Sequence, residues 1–235
     1  MSTTPTIVLV HGAFGGSDMW RGVIAKLQTH GYTAVAVANP LRDLESDARY
    51  VAETVRAVDG PVVLVGHSYG GAVITRAARD TSNVEALVYS AAFQPDEGES
   101  SFGLAGRFPG AKLGPDTTTV VEHEGEPELR VQPEHFRDVI AGDLPEATTN
   151  ALAVTQRPVL QKALTAELSG RPAWRTLPSW TLIATQDNAI PAQAQEFMAE
   201  RAGSHVVRVR ASHSPSISQP DAVADLIMEA AKAKR

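Results

Sequence analysis

The chain has 235 residues, 43% hydrophobic and 20% charged, which suffices for one sizeable core and is too apolar for a disordered polymer. Its 21 basic and 27 acidic side chains leave a net charge of −6, so neither a phosphate backbone nor an anionic membrane surface exerts a general attraction on it. Cysteine is absent, which excludes disulfides, thiolate metal sites and cysteine nucleophiles together.

The first strand runs from Thr6 to Val10. It is far shorter than the roughly 20 residues of a membrane span, and the preceding Met-Ser-Thr-Thr-Pro has no basic leader character, so a soluble, cytoplasmic, single-domain protein is expected. A glycine turn, His11-Gly12-Ala13-Phe14-Gly15-Gly16, follows it. Trp20, Val23, Ile24 and Leu27 then keep helical spacing, and after a second strand over Thr33 to Ala38 so do Ala48, Val51, Ala52 and Val55. The third and fourth strands are Val62 to Val65 and Val84 to Ser90, separated by Gly66-His67-Ser68-Tyr69-Gly70-Gly71 and a helical stretch from Ala72 to Arg79. Strand character returns at Trp180 to Ala184 and His205 to Val209, and Val223, Leu226, Ile227 and Ala230 mark the last helix. Short β-branched runs alternating with helices predict an α/β fold, a doubly wound and mainly parallel six-stranded sheet covered on both faces.

Residues 93–178 interrupt this alternation and are too long for one loop. The stretch Phe93 to Glu128 reads as irregular, whereas Glu134 to Ile140, Glu146 to Gln156 and Val159 to Leu168 read as helices, with Pro133, Pro145 and Pro158 at first turns. With few large apolar residues of its own, the segment is expected to be a helical cap over one end of a core formed by residues 1–92 and 179–235. Phe102, Leu104, Phe108, Phe136, Leu152, Leu160 and Trp174 are its candidate pocket residues, and both of its ends are expected at carboxyl edges of the sheet.

The Gly66 to Gly71 run between a strand and a helix is the setting of a nucleophile elbow, in which a sharp turn lifts Ser68 Oγ above the sheet. A serine needs a base, and the base an orienting acid. His213, just beyond the last strand, suits the first role, and Asp187, just beyond the fifth, suits the second. Asp96 and Glu97 after the fourth strand remain an alternative source of the acid. The amides of Ala13 and Tyr69 are the candidate oxyanion donors, since each leaves a strand end at the same edge. Glu122-His123-Glu124-Gly125-Glu126 matches no metal-ligand pattern and reads as a solvated turn; no cofactor or metal is expected. Trp180 and Trp174 fit a pocket wall or plain packing equally.

With His11-Gly12-Ala13, Gly66-His67-Ser68-Tyr69-Gly70-Gly71, Asp187 and His213 in that order, the chain resembles the α/β-hydrolases. More narrowly it is similar to the branch of plant methyl-ester esterases and hydroxynitrile lyases with their bacterial esterase-like relatives. Asp187 with Ile190-Pro191 and Gln195, and His213 with Pro220, extend the resemblance, while the cap matches loosely. The resemblance implies Ser68 as nucleophile, His213 as base, Asp187 as its acid, and a small ester as substrate. Lyases of the branch resemble one another in having threonine at the Gly12 position and lysine at the Ser214 position, and both marks are absent. Ser68 excludes dehalogenase chemistry, which needs a carboxylate there. A cyanohydrin-type carbon–carbon lyase and a small-molecule receptor retaining the fold are the alternatives to an esterase.

Overall fold

The computed structural model describes residues 4–233. The chain runs β1 (Thr6–Val10), α1 (Arg21–Thr29), β2 (Ala34–Val37), α2 (Leu44–Arg56), β3 (Val62–Ser68), α3 (Tyr69–Ala77) and β4 (Val84–Ala92) before the interruption. All strand pairings of the main sheet are parallel, in the order β2-β1-β3-β4, continued by β8 (Ser179–Ala184) and β9 (His205–Val209). Successive strand residues point to opposite faces, and both faces of the inner strands are buried, which is why these are mostly apolar, whereas the edge strands β2 and β9 are partly exposed and β9 carries His205 and Arg208. Val8, Val10, Leu64, Leu87 and Tyr89 pack into the core shared with α2 and α3, while Ile7, Leu9, Val63, Val65 and Val88 pack into a second core with α1 and the last helix.

Strand order reverses around β1, because the chain first adds β2 on one side and then β3 on the other. The loops after β1 and β3 therefore diverge, and they open a crevice at the carboxyl edge, where open α/β sheets hold ligands.

Residues 93–178 depart from a purely helical cap. They contain α4 (Ser101–Ala105), a hairpin of β5 (Thr118–His123) and β6 (Glu126–Val131), α5 (Pro133–Ile140), α6 (Glu146–Thr155), the short β7 (Val159–Leu160) and α7 (Gln161–Thr165). Strands β5, β6 and β7 form a small antiparallel sheet, so the stretch read as irregular holds a hairpin and the helix expected at Val159 begins only at Gln161. The hairpin turn is Glu124-Gly125, both with positive φ, the conformation that matches strand twist in two-residue turns. Its acidic cluster lies there, mostly exposed. A second correction concerns the ends of the segment. It leaves the carboxyl end of β4 but re-enters at the amino end of β8, since β8 runs parallel to β4 and must start at the opposite edge. The segment is tied to the core by Leu160 N–H donating to Leu41 O (3.0 Å), by Arg42 paired with Glu128 (2.9 Å), and by Glu99 paired with Arg201 (2.7 Å).

The chain ends with α8 (Ala192–Ala202), α9 (Pro215–Ser218) and α10 (Pro220–Lys232), α8 packing with the α2/α3 face and α10 with the α1 face. Among the described residues, no helix is long and apolar enough to cross a membrane.

The tightest point of the fold is the β3–α3 turn. A Cβ on Gly66 would lie 2.6 Å from Gly70 O, and one on Gly70 would lie 2.4 Å from Val10 O, both against backbone that cannot swing away. Gly66→Ala is therefore expected to lower unfolding free energy by about 2 kcal/mol or more. Gly114→Ala, whose Cβ would meet nothing within 4 Å, should stay within about 0.5 kcal/mol of wild type by urea denaturation.

Candidate active site

Ser68 is the last residue of β3 and adopts φ 53°, ψ −126°, a region an L-residue occupies only when its surroundings over-determine it. The Phe93 amide donates to Ser68 O at 3.1 Å and helps to hold the turn. Ser68 Oγ lies 2.8 Å from His213 Nε2, and His213 Nδ1 lies 2.7 Å from Asp187 Oδ2. All three residues are buried. They come from the loops after β3, β9 and β8, so the sheet brings together positions that are far apart in sequence.

Asp187 is surrounded by donors. Its Oδ1 accepts the Ala189 and Ile190 amides at 2.8 Å each, and its Oδ2 accepts Gln195 Nε2 at 2.9 Å as well as the imidazole. Gln195 is itself fixed, accepting the Ala184 amide and donating to Ile190 O. With the carboxylate accepting at Nδ1, the imidazole lone pair is at Nε2, facing the Ser68 hydroxyl. The alternative acids are engaged elsewhere: Asp96 pairs with Arg175, and Glu97 is exposed.

The His213 loop is held from three sides. Ser212 Oγ donates to Asp143, Ser214 Oγ donates to Ile140 O at 2.9 Å, and the buried His67 Nε2 donates to His213 O at 2.6 Å. Burial, then the neighbouring His213, pushes the His67 pKa well below its ordinary value, so this ring stays neutral. His11 behaves similarly: burial dominates and draws its pKa down to about 4.

Tyr69 opens α3, so its N–H belongs to the first turn, whose amides have no partner within the helix. Its hydroxyl donates to Asp47 Oδ2 at 2.8 Å in the core, and Asp47 also accepts the Arg42 amide. Burial raises the Asp47 pKa, against the lowering effect of the Tyr69 and Arg42 hydrogen bonds. Sequence reasoning passed over this carboxylate. The available signal was its position, three residues after Leu44 and directly before Ala48 on the apolar stripe of α2.

Two cavities meet at this point. An inner pocket of about 20 Å³ is lined by Ser68, Phe93, Phe102, Leu113 and Leu164 among others; an outer chamber of about 590 Å³ is lined by Gly15, Gly16, Phe136, Leu152, Arg157 and Ser216 among others. Ala13, Phe14, Ile140 and His213 border both. Of the expected cap residues, Phe102 faces the inner pocket, and Phe136 and Leu152 face the outer chamber. Leu104, Phe108, Leu160 and Trp174 line neither. Phe108 packs on Phe197, Leu160 belongs to the small sheet, and Trp174 donates to Pro95 O under the Arg175 guanidinium. Trp180 is a packing residue, stacked on His205. Among the described residues no group of three or more His, Asp or Glu side chains is placed to hold a metal ion.

The profile of the alpha/beta hydrolase family matches residues 7–226. The chain belongs to that family. Over 97% of its length it is 30% identical to the alpha/beta hydrolase nvfD of Aspergillus novofumigatus, covering 96% of that protein. It is 28% identical over 98% of its length to the pyrethroid hydrolase of Sphingobium wenxiniae, covering 89% of it. A crystal structure of a pyrethroid hydrolase superposes with a TM-score of 0.83 at 25% identity, covering 98% of this chain and 99% of that one. Relatives named methylesterase and norfluorocurarine synthase, and the fold of polyneuridine aldehyde esterase, lie in the plant methylesterase and hydroxynitrile lyase branch. The names hydrolase, esterase and methylesterase among its relatives support carboxylic ester hydrolase activity.

Both neutral histidines bear on stability. The unfolded chain takes up protons near pH 6.5 and the fold resists them to about pH 4 for His11, so the stability is complete above the window and declines as pH falls through it. Urea denaturation at about pH 7.5 and about pH 5 should show a loss on the order of 2 kcal/mol from His11 alone. His67→Gln, whose amide keeps a donor near the Nε2 position, should lose less over the same interval than wild type.

Proposed function

We propose that the protein is a cofactor-independent serine hydrolase that cleaves small carboxylic esters through an acyl-enzyme. The observation that carries this reading is the relay at the strained turn, 2.8 Å from Ser68 to His213 and 2.7 Å from His213 to Asp187. Ser68 Oγ attacks the ester carbonyl carbon as His213 Nε2 takes its proton. The Ala13 and Tyr69 amides receive the negative charge that develops on the carbonyl oxygen, at the positive end of α3. His213 passes the proton to the leaving alkoxide, and the acyl group stays on Ser68. Water then attacks, again deprotonated by His213, and the carboxylic acid departs with Ser68 restored. Asp187 keeps the imidazole in the tautomer that both steps require.

In this reading residues 93–178 act as a cap that selects the substrate. The pocket facing Ser68 is small and apolar, which suits short acyl groups. Two positions speak against a lyase. A Cβ at Gly12 would lie 2.5 Å from Ser68 Cβ, so the backbone here has no room for a threonine, and Ser214 spends its hydroxyl on Ile140 O and offers no cation.

A fluorophosphonate should label Ser68 alone, and Ser68→Ala should abolish labelling and turnover of 4-nitrophenyl acetate. Asp187→Asn should cost roughly 10²–10⁴ in kcat, because the wrong imidazole tautomer is then favoured. Labelling of another serine with Ser68 untouched would overturn the assignment, as would hydrolysis of emulsified long-chain triglycerides faster than of short soluble esters.

A further inference from the structure

The outer chamber holds a cation that the ester chemistry leaves unused. Three charged side chains line it: Asp18 and Arg21, both exposed, and the half-buried Arg157. Arg157 Nη1 donates to His11 Nε2 at 3.1 Å. His11 Nδ1 donates to Gly12 O at 2.9 Å, so its Nε2 carries the lone pair, which the Asn39 amide also reaches at 3.1 Å. The buried, neutral imidazole therefore aims the guanidinium without cancelling its charge. Among the described residues no carboxylate lies within 4.0 Å of Arg157, nor of the exposed Arg21, whereas Arg42, Arg76, Arg107, Arg175, Arg201 and Arg208 are ion-paired; what sets Arg157 apart in the chamber is the imidazole that positions it.

The segment that carries Arg157 is fixed on both sides. Gln156 accepts the Val131 amide and donates to Val131 O, each at 2.9 Å, and donates to Ala153 O at 2.7 Å. Pro158 follows Arg157, and two residues further on Leu160 is tied to Leu41 O. A positioned guanidinium with free N–H groups matches the two oxygens of a carboxylate as a fork.

We propose that Arg157 is a specificity determinant that receives a carboxylate borne by the leaving alcohol or phenol of the ester, so that the preferred substrates are anionic on that side. The inference rests on the serine hydrolase reading and deepens it. The side follows from volume. The acyl group takes the inner pocket of about 20 Å³ that Ser68 lines, and the leaving part takes the larger chamber of about 590 Å³ that shares His213, the donor of its proton.

The test compares 3-acetoxybenzoate with its neutral methyl ester, in wild type, Arg157→Met and Arg157→Lys, with phenyl acetate as reference and melting temperature as a check on folding. The readout is the ratio of kcat/KM values for the anionic and neutral esters within each variant. Wild type should favour the anion by tenfold or more, with the preference shrinking as salt rises. Arg157→Met should remove it, mainly through KM, and Arg157→Lys should retain part of it. A ratio near unity in wild type, or a preference unchanged in Arg157→Met, would overturn the proposal. So would an Arg157-dependent gain for monophenyl succinate with none for 3-acetoxybenzoate, because the anion would then sit on the acyl side. Absence of Ser68-dependent turnover of phenyl acetate would instead overturn the underlying hydrolase reading.

Discussion

A backbone held at φ 53° and ψ −126° costs on the order of 1–3 kcal/mol, and Ser68 keeps this conformation because nothing around it can give way. Gly66 lies against the Gly70–Gly71 backbone, Gly70 against the carbonyl of Val10, and the Phe93 amide ties down the Ser68 carbonyl. Strand β1, the start of α3 and the end of β4 are thereby fixed relative to one another. The loop that carries Ala13 starts from the strand that Gly70 touches, and Phe93, which opens the segment 93–178, lines the inner pocket. One turn thus sets the registration of Ser68, the loop that carries Ala13 and the pocket wall, and Asp47 anchors it from below through the Tyr69 hydroxyl.

The interior electrostatics follow a consistent pattern. Imidazoles that are packed away, His11 and His67, are held neutral by burial and act as hydrogen-bonding struts, one directing Arg157 and the other supporting the His213 backbone. The three buried carboxylates among the described residues all have donors: Asp187 has two amides, a glutamine and an imidazole, Asp47 an amide and a phenol, and Glu128 the guanidinium of Arg42. Buried charge is tolerated only with such partners, which is why the residues around Asp187 and Asp47 are as constrained as the carboxylates themselves.

The sheet, the turn at Ser68 and the positions of Asp187 and His213 were legible because they are local patterns. Short apolar β-branched runs mark the strands, and a parallel sheet puts all their carboxyl ends on one edge. The β5–β6 hairpin was hidden because nearly all of β5 is exposed and Pro127 sits inside β6, so no alternation of apolar and polar residues survives. Arg157 gave no signal at all, since its significance depends on His11, far away in sequence. The division into two cavities depends likewise on residues distant in sequence, Phe14 and Ile140 among those that border both, and the left-handed conformation of Phe14 (φ 62°) is not written in any motif.

Parallel pairing of β4 with β8 obliges the chain to travel from one edge of the sheet to the other between them, and residues 93–178 fill that crossing. The entropy of closing such a loop grows only with the logarithm of its length, about 0.6 kcal/mol for each doubling. Length alone therefore costs the main sheet little, provided that the crossing still supplies apolar side chains to the shared core, such as Leu129, Val131, Phe136 and Leu164, and ties such as those at Leu41, Arg42 and Glu99. Evolution can lengthen, shorten or rebuild this segment while the strained turn beneath it stays untouched, which makes it the natural place for related proteins to diverge in what they bind.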